Sequence, residues 1–162
     1  MKNIIGFNIS WFGLVYMGNG FIPFALLFLC FHLMLEVKNT REILYILIIC
    51  AIGILIDSVL QFLGIFSFQE LTHLPFWLIV LWGCFATTLC HSLKFIGLSP
   101  WFQIAAGFIA PLSYLAGYKF SVVQFSHSLM FTYAVLAVLW TLLFILFFKL
   151  KSVLVDKEHC HD

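Results

Sequence analysis

From Phe120 to Phe148 the chain carries no Asp, Glu, Lys or Arg, and between Arg41 and Lys94 it carries no Lys or Arg. Such gaps are what a bilayer demands: no water is present to solvate an ion, and about 20 mainly apolar residues are needed to cross the hydrocarbon core. The rest of the 162 residues agrees, with 64% hydrophobic and 9% charged against about 45–50% and about 25% in soluble domains. A soluble globular fold is excluded. Eight Lys and Arg against seven Asp and Glu leave a net charge of +1, too weak a field to hold nucleic acid.

Apolar runs between polar or helix-breaking punctuation predict helices at 4–18, 21–35, 43–63, 75–95, 100–118 and 126–148. The reading is all-α: a polytopic six-transmembrane-helix bundle, with 1–150 as one transmembrane domain and 151–162 as a polar cytoplasmic tail. Gly18-Asn19-Gly20, followed by Pro23, predicts a helical hairpin from the first two runs. Pro75 and Pro100 each fall near a first helical position, where the missing N–H is harmless.

Orientation follows from the basic residues. With the N-terminus inside, Lys2, Lys38, Arg41, Lys94, Lys149, Lys151 and Lys157 are cytoplasmic and Lys119 alone is outside. This predicts both termini inside (N-in/C-in) and a multi-pass protein of the cytoplasmic (inner) membrane. A cleaved signal peptide would fit Lys2 and the small residues Gly18 and Gly20, but no A-x-A-like site is present and cleavage would leave an odd number of spans. Cys30, Cys50, Cys84 and Cys90 lie in apolar runs as small hydrophobes. The tail His159-Cys160-His161 lacks a second ligand cluster, so no metal and no cofactor are predicted.

Polar residues inside the spans are informative because a mid-depth carboxylate is unfavourable by about 2.5–3.5 kcal/mol. Asp57 is the one acid in a span, with Gln61 a turn later on its face. Gln124 and His127, with Ser128, open the sixth run and are expected to meet Asp57 across the bundle. Cys84, Thr87, Thr88 and His91 form a stripe at i, i+3, i+4 and i+7 that should face inward, with Ile79 and Leu89 turned to lipid or another neighbour. His91 and His32 share a depth near the cytoplasmic side. These residues, Asp57, Gln61, Gln124, His127, Thr87, Thr88, His91 and His32, are the candidate binding set; interhelical hydrogen bonding is the simpler use of them.

Pro111 should kink the fifth span, and Gly107, Ala110, Ser113 and Gly117 around it, like Gly6, Ser10 and Gly13 in the first, suit close helix approach. A broken helix offering a freed carbonyl to a ligand is the alternative. Trp11, Trp77, Trp82, Trp101 and Trp140 read as interfacial anchors. No phosphate loop, H-E-x-x-H, G-x-S-x-G or paired carboxylates occur, and no internal repeat is visible.

The run from Leu74 to Leu93 (LPFWLIVLWGCFATTLCHSL) and the run from Ala110 to Gly117 (APLSYLAG) resemble the signature of the bacterial domain-of-unknown-function family 2878; Asn8, Trp11 and Gly53 to Asp57 fit as well. The resemblance reaches to about residue 148. It implies a small integral inner-membrane protein without assigned activity and a link to membrane-lipid modification or stress, and it carries no residue roles. Asp57, Thr87, Thr88, Ser92, Pro111 and Tyr114 match its pattern.

Three functions remain in view. A non-catalytic accessory protein holding membrane lipid or another membrane protein needs only a packed bundle. A small-molecule permease or substrate-binding subunit would use the Asp57 to His127 region, against a sparse polar lining. A membrane-embedded lipid-modifying enzyme would use His32 and His91, but lacks a carboxylate partner for them.

Overall fold

The computed structural model describes residues 2–37, 39–68 and 73–155. Helix α1 (Lys2–Met17) ends in a 3-10 turn (Gly18–Phe21) and α2 (Ile22–Glu36) returns beside it; α3 (Thr40–Phe62), a two-residue strand β1 (Phe66–Ser67) and α4 (Phe76–Cys90) follow. A second 3-10 turn (Lys94–Leu98) leads to α5 (Pro100–Ile109), α6 (Leu112–Lys119), the strand β2 (Gln124–Phe125) and α7 (Leu129–Leu154).

Local chemistry sets these boundaries. Gly18 adopts φ +58°, the left-handed region that glycine enters without a Cβ penalty, and so reverses the chain. The reversal brings together residues 29 apart in sequence, with Asn3 Nδ2 3.1 Å from His32 Nε2. Asn39 caps α3 by accepting from Arg41 N at 3.0 Å, and Ser99 caps α5 by accepting from Trp101 N at 3.3 Å with Pro100 as the first helical residue. Asn19 Oδ1 accepts from Trp77 N at 3.2 Å, so the hairpin turn caps the first turn of α4.

Six helical legs thus run back and forth between two ends. The near end holds the start of α1, α3 and α5 and the finish of α2, α4 and α7; the far end holds the hairpin turn and the antiparallel pair β1–β2, with Phe66 opposite Phe125. Helix α4 is the hub, packed on α1, α2 and α3, while α5 packs chiefly on α7. Gly107 makes that last approach possible: a Cβ there would lie 2.6 Å from Thr141 Cα.

The legs are not six membrane-crossing helices. Three helical stretches are long and apolar enough to cross, Asn3–Glu36, Thr40–Phe62 and Leu129–Leu154, and Phe76–Cys90 is apolar but shorter. The first of these doubles back on itself at Gly18. At about 1.5 Å per residue, its arms and α4 reach roughly 22–24 Å against a core of about 30 Å, and Pro111 divides the fifth run into pieces of 10 and 8 residues. The three long stretches suggest a multi-pass membrane protein. The exterior supports this, since Phe31, Met34, Leu47, Leu55, Phe62 and Val138 are all exposed, a surface that only hydrocarbon solvates well.

Other expectations also change. Leu89 is fully buried and so meets another neighbour rather than lipid, because α4 is surrounded. Trp82 and Trp140 are buried in the interior and Trp77 is covered, leaving Trp101 as the strongly exposed anchor. Helix α7 runs to Leu154; residues 156–162, with the His159-Cys160-His161 trio of the expected tail, lie outside the described residues.

Candidate functional site

In the half nearer the far end, the fully buried carboxylate of Asp57 accepts two hydrogen bonds, from Trp82 Nε1 to Oδ2 at 2.7 Å and from Tyr114 Oη to Oδ1 at 2.8 Å. Each partner comes from a different leg, α4 and α6, so one side chain of α3 ties three legs together. Gly53, one turn before Asp57, provides the room: a Cβ there would fall 2.2 Å from the Trp82 ring. The far face of Trp82 stacks on Trp140 of α7, with centroids 5.4 Å apart and planes 7° from parallel. The geometry replaces the expected partners. Gln61 is half-buried a turn further on, while Gln124 and His127 are exposed and lie before α7, on β2 and in the loop that follows it. Ser128 is the cap of α7, accepting from Phe131 N at 3.4 Å.

The same aromatic residues form the back wall of a cavity of about 750 Å³ bounded by α1, α4, α5, α6 and α7, lined by Phe7, Trp11, Trp82, Ala106, Tyr114 and Trp140 among others. That is within the usual range for a small-molecule site, about 300–1,000 Å³. The cleft exists because α1 leans on α4 and α5 on α7, with almost no packing between α1 and α5. Toward the far end Phe12 and Phe120 close this gap edge to face, 6.1 Å apart. Elsewhere the exposed Phe102, Ile109 and Leu112 line it, so it opens sideways, toward lipid. Asp57 itself does not line the cleft. It holds the wall from behind.

The break at Pro111 is present, between α5 and α6. Tyr133 Oη donates to Phe108 O at 2.7 Å and Ser113 Oγ to Ala110 O at 2.7 Å, so neighbouring side chains take up carbonyls beside the break.

A second polar group sits at the near end. His32 and His91 meet edge to face with centroids 4.8 Å apart. Glu42 Oε1 lies 2.8 Å from His91 Nε2, close in distance but not aligned as a hydrogen bond. Asn3 Nδ2 reaches both His32 and Thr87 O, each at 3.1 Å. The sequence pattern pairs these histidines with no carboxylate; the fold brings Glu42, from the first turn of α3, beside His91. Thr87 and Thr88 are buried, with hydroxyls that donate back to Cys84 O and Phe85 O at 2.8 and 2.6 Å, and so serve their own helix. Among the described residues no cluster of three or more His, Cys, Asp or Glu could hold a metal ion.

Sequence reasoning missed Trp82, Tyr114 and Trp140 as site residues. Two signals pointed to them: Trp82 falls in the middle of its apolar run, too deep for an interfacial belt, and Gly53 precedes the buried acid by four residues on one helix face.

Neither curated proteins nor solved structures include a match to the chain. A family described as proteins of unknown function (DUF2878) matches residues 1–146, which takes in both arms of the hairpin, Asp57 and its two donors, the cleft and the histidine pair. The chain belongs to the DUF2878 family.

Proposed function

We propose that this is a non-catalytic protein of the bacterial cytoplasmic membrane that holds an acyl chain of a membrane lipid in the cleft between α1 and α5. The observation that carries this reading is the cleft: about 750 Å³, walled by aromatic rings and open sideways between two helices that do not pack on each other. A water-soluble substrate would need polar groups there, and the lining offers few, which argues against a permease. The near end is read as the cytoplasmic one, because Arg41, Lys94, Lys149 and Lys151 lie in elements that begin or finish there and Lys119 lies at the far end.

Mass spectrometry of the detergent-extracted protein tests this. Wild type should carry phospholipid, and Ala106→Trp, which fills the cleft from α5, should carry far less while remaining folded. Lipid-free wild type, or equal lipid on the filled variant, overturns the reading.

One observation favours a second reading, a membrane-embedded lipid-modifying enzyme: Glu42, His91 and His32 gather a carboxyl and two imidazoles, groups capable of general acid–base chemistry, at the near end. It requires that cellular lipids differ chemically between cells producing wild type and cells producing His91→Ala. Identical lipid profiles remove it.

A further inference from the structure

Entering the cleft from the bilayer gives an acyl chain no hydrophobic gain, because lipid tails are already as apolar as the lining. Preference for one lipid over its neighbours must therefore come from the headgroup, and so from charge at an end of the cleft. The two ends differ. The far end is walled by Phe68, Gly117 and Val123. At the near end the lining residues Leu93, Phe95 and Ile96 flank or follow the exposed Lys94, which opens the 3-10 turn. Gly97 of that turn sits against the ring of Phe148, which brings the last turns of α7, with Lys149 and Lys151, beside it.

None of these three lysines pairs with a described carboxylate, and the described acids of this end face the histidines: Glu42 contacts His91 at 2.8 Å and Glu36 is the electrostatic neighbour of His32. Among the described residues, three positive charges thus stand without a paired carboxylate around one end of an apolar cleft.

We infer that the occupant is an anionic phospholipid, its acyl chain in the cleft and its phosphate among Lys94, Lys149 and Lys151. The inference rests on the acyl-chain reading above and adds the headgroup to it. Each lysine near the phosphate should contribute about fivefold in preference for an anionic over a zwitterionic headgroup, less at high salt.

The test is native mass spectrometry of the full-length protein titrated with phosphatidylglycerol and, separately, with phosphatidylcholine of the same acyl chains. Wild type should bind phosphatidylglycerol at least tenfold more tightly. Lys94→Gln/Lys149→Gln/Lys151→Gln should lose that preference and keep its binding of phosphatidylcholine, which also shows that the variant is folded. Equal binding of the two lipids by wild type, or an undiminished preference in the triple variant, overturns the headgroup assignment and leaves the acyl-chain reading standing. Failure of wild type to bind either lipid overturns both.

Discussion

Replacing Asp57 by Asn changes one oxygen for an amide nitrogen, and the structure makes this more damaging than the similar shapes suggest. Both carboxylate oxygens accept, one from Trp82 Nε1 and the other from Tyr114 Oη. An amide can accept at one of these positions only. At the other, an N–H faces a second donor in a site without exposure. Leaving one buried donor unmatched is unfavourable by about 1–3 kcal/mol, so Asp57→Asn should destabilise by about that amount, and Asp57→Leu, which orphans both donors, by about twice as much. Tyr114→Phe removes the donor at Oδ1. In Asp57→Asn/Tyr114→Phe the amide nitrogen can occupy the vacated side while its oxygen still accepts from Trp82, so the two losses should fall short of additive by about 1 kcal/mol or more. Thermal and denaturant unfolding in one detergent, followed by tryptophan fluorescence, gives the four values of the cycle. Wild-type stability in Asp57→Asn, or strict additivity in the pair, would refute the argument.

Other consequences are open to measurement. Gly107→Leu places a side chain against the Thr141 backbone, where a Cβ already falls 2.6–2.7 Å from Cα and N, and should lower stability by at least about 1–3 kcal/mol; unfolding at the wild-type temperature contradicts this. Gly53→Val pushes on the Trp82 ring and should both shift tryptophan emission and reduce retained lipid, whereas an unchanged spectrum would mean that the ring is not held in the notch. In a cysteine-free background, Gln124→Cys should react with an impermeant reagent from outside intact cells and Lys94→Cys only after the membrane is opened. The reverse pattern inverts the proposed orientation.

What the sequence made legible is what local backbone rules control. The Pro111 break, the reversal at Gly18, the opening of α5 at Pro100 and the apolar legs all follow from residues within a turn or two of the feature. Hydropathy overstated the number of crossing helices because it scores apolar character without regard to helix length after a break. The burial of Asp57 was legible for a different reason, being the sole acid within an apolar run. Its partners were not. Trp and Tyr are counted among apolar residues, yet each carries a single polar hydrogen, and pattern reading sought the partners of an acid among Gln and His instead.

That distinction explains why an acid stands at a position where it is unfavourable by about 2.5–3.5 kcal/mol on insertion scales and does not line the cleft. The wall needs flat aromatic faces, and Trp82 and Tyr114 provide them, but in hydrocarbon their N–H and O–H must find acceptors inside the protein. Ser, Thr, Asn and Gln each bring a donor of their own that would also need a partner. The carboxyl group of Asp57 presents both its oxygens as acceptors, and with Oδ1 and Oδ2 directed to different legs it fixes both rings at once, while Trp140 stacks on the first. The shape of the apolar surface offered to a lipid tail is thus set by a polar group that the tail never touches, and a change to that group should alter lipid retention through the tilt of the rings rather than through any lost contact with the lipid.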